Sequence, residues 1–104
     1  MTTQQQGTHA RHQLDEVIHA PVRFSIVATL ASVDEADFKT VRDEVEVSDS
    51  VLSRQVTTLE GAGYVKVRKG YAGKRPRTWL SLTKTGRAAY ERHLAALRAI
   101  AGVD

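Results

Sequence analysis

"VSDSVLSRQVTTLEGAGYV", residues 47–65, is the stretch whose reading decides the fold. Ser48 is a good helix N-cap, and Leu52, Val56 and Leu59 behind it lay one apolar stripe along a predicted helix over residues 49–60. Gly61 and Gly63 stop that helix. The side turned away from the stripe carries Ser50, Arg54 and Thr57, flanked by Ser53, Gln55 and Thr58, so it is small, polar and headed by one arginine.

Working outward toward the N-terminus, "EADFKTVRDEV" (35–45) places Phe38, Val41 and Val45 at helical spacing, with Asp37 set to cap a short helix. Only Glu46 to Ser48 separate it from the next helix, the short connection of a helix-turn-helix. Before it, "LDEVIHAPVRFSIVATLAS" (14–32) carries Leu14, Val17, Ile18, Val22, Ile26, Val27 and Leu30 at spacings of three and four. Pro21 lacks a backbone donor, so a short turn is expected ahead of it and the main helix is expected to begin there.

On the C-terminal side, "YVKVRKG" (64–70) and "RTWLSLT" (77–83) alternate as the two strands of a hairpin. "GYAG" and "KRP" between them are expected to form a long tip, flexible at Gly70 and Gly73. Pro76 is expected to keep Arg75 and Arg77 out of regular structure. "TKTGRAAYERHLAALRAIAG" (83–102) then starts at a Thr cap and carries Tyr90, Leu94, Leu97 and Ala101 along a last helix. At 104 residues this is one domain, within the common range of about 100–150. Residues 1–13 read as a flexible polar leader and 14–104 as the folded domain. The fold class is α+β, mainly α: a three-helix core, a two-stranded hairpin and a C-terminal helix.

Charge is distributed unevenly along this chain. From Asp34 to Asp49 seven acids face two bases, whereas from Gly61 to Tyr90 there are eight bases and no acid. Four of those bases, Lys69, Lys74, Arg75 and Arg77, fall in the nine residues of "KGYAGKRPR" (69–77), with Arg68 just before them. A basic hairpin of this kind suits a phosphate ridge or a minor groove, where each neutralised phosphate releases a counterion. Hydroxyl side chains at the start of a helix allow close approach to a phosphate backbone, and the positive end of the helix dipole adds attraction there. Arg54 is the residue type suited to a bidentate bond with guanine. Taken alone, that polar face is equally the solvated side of any surface helix. The basic hairpin directly after it is what points to nucleic acid.

These residues carry a family resemblance. "VSDSVLSRQVTTLEGAGYV", followed by the basic hairpin and "WLSLTKTGRAAYERHLAAL", resembles the winged helix-turn-helix transcription regulators of the MarR, ArsR and PadR type, over roughly residues 14 to 101. The exit from Leu59 to Val65 and the entry from Leu82 to Gly86 both stand in register with that pattern. The resemblance implies that helix 49–60 enters the major groove of double-stranded DNA, that the hairpin is the wing (66–77), and that a homodimer binds a pseudo-palindromic operator. Ser48, Ser50, Ser53, Arg54, Gln55, Thr57 and Thr58 would then line the groove, and Arg68, Lys69, Lys74, Arg75 and Arg77 would meet the backbone or minor groove. The likeness is to short members of the group. The long N-terminal dimerisation helix of full-size MarR proteins is missing, which leaves dimerisation to the last helix, about 83–101. Its Tyr90, Leu94, Leu97 and Ile100 exceed what a small core needs, and Val17 and Ile18 could complete the interface.

Other functions find little support. There is no cysteine, which excludes disulfides, thiolate metal sites and thiol redox sensing. His9 and His12 have no further ligands near them, and the acids of 34–49 are assigned no chemistry, so neither metal nor cofactor is expected. His19 and His93 stand far apart in the sequence without a nucleophile beside either, and no phosphate- or dinucleotide-binding loop is present, which argues against an enzyme. The residues leave room for a small-molecule effector without supplying a site for one. Neither a signal peptide nor a membrane helix is seen, so a cytoplasmic protein is expected. The competing reading is a winged-helix module whose basic wing docks an acidic protein. That would want aromatic or aliphatic anchors on helix 49–60, where Ser, Thr and Arg stand instead.

Overall fold

The structure is a computed structural model and describes residues 8–103. Helix α1 (Pro21–Ala31) begins with proline at its first position, where the missing N–H would have had no helical partner. A two-residue strand, β1 (Ala36–Asp37), leads into α2 (Phe38–Val45) and then α3 (Asp49–Gly61). Strands β2 (Val65–Ala72) and β3 (Arg75–Leu82) form the hairpin, and α4 (Lys84–Ala101) closes the chain. All three helices after the first are capped by a side chain at the expected residue: Asp37 accepts from the amides of Lys39 and Thr40, Ser48 from Val51, and Thr83 from Gly86. The turn between α2 and α3 passes through Glu46 at φ 63°, a left-handed conformation that a side chain adopts at some cost.

Ile26, Val27 and Leu30 of α1, Val41 of α2, Leu52, Val56 and Leu59 of α3, and Leu80 of β3 meet in one buried cluster. Ile18 belongs to it as well and is fully buried. The assignment of Ile18 to an intermolecular interface is therefore corrected: a periodic apolar run does not say which of its members the chain itself covers.

The sheet departs from expectation in two ways. It has three antiparallel strands in the order β1-β3-β2, because Ala36 and Asp37 pair with Leu80 and Trp79. The tip is also short. Ala72 pairs with Arg75, leaving a two-residue turn of Gly73 and Lys74, with Gly73 at φ 67° as a hairpin turn of this length requires. Gly70, Arg75, Pro76 and Arg77 are thus strand residues, not parts of a loose tip. Proline is tolerated in this central strand because the pairing with β1 ends at Trp79, so nothing on that side asks Pro76 for a donor. The N-terminal leader is shorter than expected too. Ala10–Gln13 form a 3-10 turn, capped by the His9 ring and packed against α4, while residues 1–7 lie outside the described residues.

Candidate nucleic-acid interface

With Leu52, Val56 and Leu59 turned into the core, the helical period leaves Ser50, Ser53, Arg54, Thr57 and Thr58 of α3 exposed. The Arg54 side chain makes no hydrogen bond or ion pair with any of the described residues, so its guanidinium is free for a partner. The Thr57 hydroxyl donates to the Ser53 carbonyl at 3.0 Å and the Thr58 hydroxyl to the Arg54 carbonyl at 3.3 Å. Their protons are engaged within the helix, so what they turn outward is acceptor lone pairs, suited to base amino groups. Two expected members of the face are differently employed. Gln55 is half-buried and accepts from Arg23 Nη1 at 2.8 Å, which ties α3 to α1. The Ser48 hydroxyl caps the helix and lies 3.2 Å from that of Ser50.

The N-terminus of α3 is fixed from the side as well. Arg42 of α2 bonds Asp43 at 2.9 Å and Asp49 at 2.8 Å, and these two carboxylates push its guanidinium pKa further up. The bond to Asp49 links the end of α2 to the first turn of α3.

In the hairpin, the bases fall into two groups. Arg68 forms a two-pronged bond with Glu35 at 2.9 and 2.8 Å and lies 4.2 Å from the centre of the Trp79 ring. Arg77 reaches Asp37 at 3.3 Å and flanks the same ring at 5.8 Å. The Arg68 guanidinium holds the Glu35 carboxyl below its ordinary value, and Glu35 raises that of Arg68 in return. Arg87 in α4 donates to the last carbonyl of α1, that of Ala31, at 3.0 Å. The absence of acids from residues 61–90 thus does not leave every base there unopposed, since Arg68 and Arg77 find acids from the segment before α2. Lys66, Lys69, Lys74 and Arg75 are exposed and without an ion pair among the described residues. Lys66 had been left out of the expected site, although the same run of unopposed charge contains it.

The two halves of the site meet across a groove of about 300 Å³, walled by Ser53, Thr57 and Glu60 of α3 on one side and by Lys69 and Thr78 of the hairpin on the other. Helix face and wing thus share one side of the molecule.

Between α4 and the segment before α1 lies a different arrangement, which sequence spacing did not reveal. In α4 the inward residues are Gly86, Ala89, His93 and Ala96, while Tyr90, Leu94 and Leu97 sit half-buried beside them and Ile100 and Val103 are exposed. His93 and His19, far apart in sequence, have ring centroids 5.3 Å apart. The His93 Nδ1 accepts from the Asp15 amide at 3.0 Å. Asp15 in turn takes the amides of Val17 and Ile18 on Oδ1 and the Tyr64 hydroxyl on Oδ2 at 2.5 Å. Burial, and then the neighbouring His19, push the His93 pKa below its ordinary value, so the neutral ring that this bond needs is favoured. An apolar cavity of about 350 Å³ opens between His19, Pro21, Phe24, His93 and Leu97. Among the described residues no helix is long and apolar enough to cross a membrane, and no cluster of three or more metal-ligating side chains occurs.

The comparisons with known proteins agree with this geometry. The model of the winged helix DNA-binding domain family matches residues 22–101. The chain is 28% identical to a transcriptional regulator homologue from Pyrococcus horikoshii OT3, with a TM-score of 0.80 over 85% of this chain and 87% of that one. A MarR-family transcriptional regulator from Silicibacter pomeroyi is 25% identical, with a TM-score of 0.66 over 91% of this chain and 63% of that one. An uncharacterized protein of Methanocaldococcus jannaschii is 24% identical over 79 residues, 76% of this chain and 86% of its own length.

Proposed function

The chain belongs to the winged helix DNA-binding domain family, and from that premise we propose that it is a homodimeric, sequence-specific regulator of transcription that represses by occupying double-stranded DNA. In this reading α3 lies in the major groove. Arg54 reads guanine through its O6 and N7, and Ser50, Ser53, Thr57 and Thr58 set the register and meet base edges. Lys69, Lys74 and Arg75 of the wing, joined by Lys66, hold phosphates. Arg68 and Arg77, engaged with Glu35 and Asp37, stiffen the wing and add positive potential rather than direct contacts.

The observation that carries the proposal is the groove shared by Ser53, Thr57 and Glu60 with Lys69 and Thr78, because it sets a hydroxyl-bearing helix face beside the wing and its Lys69. A duplex can engage both at once. The dimer would form through α4, where Tyr90, Leu94, Leu97 and Ile100 leave apolar surface uncovered, with half-buried Val17 at the margin. A two-fold dimer then calls for a pseudo-palindromic operator.

The test is fluorescence anisotropy of labelled duplexes at several salt concentrations. Steep salt dependence, with some genomic fragments competing far better than others, is the expected result. Arg54→Ala should relax base preference by about 1–3 kcal/mol, whereas Arg75→Ala should weaken all duplexes alike and flatten the salt slope by about one unit. Uniform loss in both variants would refute this division of labour. Failure of the native chain to bind any duplex at low salt would refute the reading as a whole. Sedimentation of Leu97→Glu, expected to be monomeric where the native chain is dimeric, tests the α4 interface.

A further inference from the structure

The wing carries one large apolar side chain that nothing in the chain covers. Tyr71 is 71% exposed, more than any other large apolar residue among those described, and its hydroxyl has no hydrogen-bond partner among them. It pairs across the hairpin with Pro76, immediately inside the closing pair of Ala72 and Arg75. In a hairpin with a two-residue turn, the pair next to the closing one is not hydrogen-bonded, and side chains of such pairs approach most closely. The phenol ring and the pyrrolidine ring thus form a single apolar unit at the outer end of the wing.

The pleat fixes which way this unit faces. Tyr71 and Pro76 lie on the same side of the sheet as the pairs Lys69 with Thr78 and Val67 with Leu80. Lys69 and Thr78 wall the groove that faces Ser53 and Thr57 of α3. The ring therefore sits on the side of the wing that looks toward the proposed DNA, with exposed Lys69 on the same face, Lys74 in the adjoining turn and Arg75 at the closing pair on the opposite face. The sugar walls of a minor groove are apolar and its rims are phosphate. An aromatic ring on one face of a wing tip whose Lys69, Lys74 and Arg75 have no ion pair among the described residues matches both.

We propose that Tyr71, braced by Pro76, is a DNA-contacting residue that lays its ring against the deoxyribose wall of the minor groove, while Lys69, Lys74 and Arg75 meet the phosphates at its rims. The inference rests on the DNA-binding reading above and deepens it. An apolar contact displaces no counterion, so its contribution to affinity is independent of salt, unlike that of the cations beside it.

The experiment is anisotropy of the full chain with a fluorescein-labelled random duplex across a salt series. Tyr71→Ala is expected to weaken binding about tenfold at every salt concentration and to leave the slope of log K against log salt unchanged. Tyr71→Phe should bind within about twofold of the native chain, since the ring and not the hydroxyl makes the contact. Lys74→Ala should instead lower the slope by about one unit. Circular dichroism and melting of the variants should match the native chain, because the site is at the exposed end of the hairpin. Native affinity in Tyr71→Ala, a changed slope in that variant, or equal loss in Tyr71→Phe would each overturn the inference while leaving DNA binding intact. Absence of binding by the native chain is a different result and would remove the reading on which the inference stands.

Discussion

The two ends of the β2–β3 hairpin are held in opposite ways. At its base, the Tyr64 carbonyl accepts the Thr83 amide at 3.0 Å, the Thr83 hydroxyl donates to the Gly63 carbonyl at 2.7 Å, and the Tyr64 hydroxyl is bound by Asp15. At its tip, Tyr71, Gly73, Lys74 and Arg75 are exposed, and neither of the two cations has an ion pair among the described residues. The base is positioned by short, largely neutral contacts that salt does not screen. The tip is positioned by a turn and carries charge whose partner must come from outside. A wing built this way has a fixed root and a chemically unsatisfied end, which is what the proposed contact with DNA requires.

The sharpest way to break the contrast is at the root. A Cβ at Gly86 would stand 2.2 Å from the Tyr64 carbonyl oxygen, a backbone atom that cannot swing aside. Gly86→Ala should therefore cost about 3 kcal/mol in urea unfolding, and native stability in that variant would show that the packing of α4 on the strand entry is loose. Asp15→Ala removes three amide or hydroxyl partners at once and should cost about 2 kcal/mol by the same measurement. Acidification attacks the same strap. Neutral His93 accepts from the Asp15 amide, and its pKa is lowered in the folded chain, so the unfolded chain binds the proton more readily. Stability should be full above pH 6.5, the ordinary value, and should fall as pH drops through it toward the lower folded value. His93→Gln, which keeps an acceptor but does not titrate, should lose that dependence in thermal melts.

At the tip the expected effects on stability are smaller. Gly73→Ala forces a side chain into positive φ and should cost about 1 kcal/mol in urea unfolding while disturbing the turn next to Tyr71. Glu35→Gln frees Arg68 from its two-pronged bond. The melting temperature is expected to stay unchanged, while amide hydrogen exchange in β3 quickens, because an exposed ion pair adds stiffness to the wing rather than net stability. A larger fall in stability from Glu35→Gln than from Asp15→Ala would reverse the comparison.

What could be read from the sequence was what is decided locally. Ser48, Asp37 and Thr83 cap the helices expected of them because a cap is settled by neighbours within three residues. Pro21 likewise marks the start of α1. The misreadings share the opposite cause. Pro76 reads as a breaker in the sequence because its tolerance depends on where a different strand ends, and β1 has too few residues to show a period. Ile18 and Leu97 belong to similar apolar patterns, yet Ile18 is fully buried and Leu97 only half-buried. Gln55 faces away from the interface because Arg23, thirty-two positions earlier, takes it. The meeting of His93 with Asp15 spans 78 positions and leaves no mark in either neighbourhood.

That span has a consequence for how the chain is made. The turn around Val17 and Ile18 is held by Asp15, but Asp15 is itself tied to residues 64 and 93. During synthesis Asp15 can reach Tyr64 before α4 is made, but the N-terminal strap gains its second anchor only when the chain has grown past its ninety-third residue. The first part of the domain to be synthesised is thus the last to be fully fastened, and a chain truncated within α4 ahead of His93 would keep the Asp15 bond to Tyr64 but lack its bond to the His93 ring.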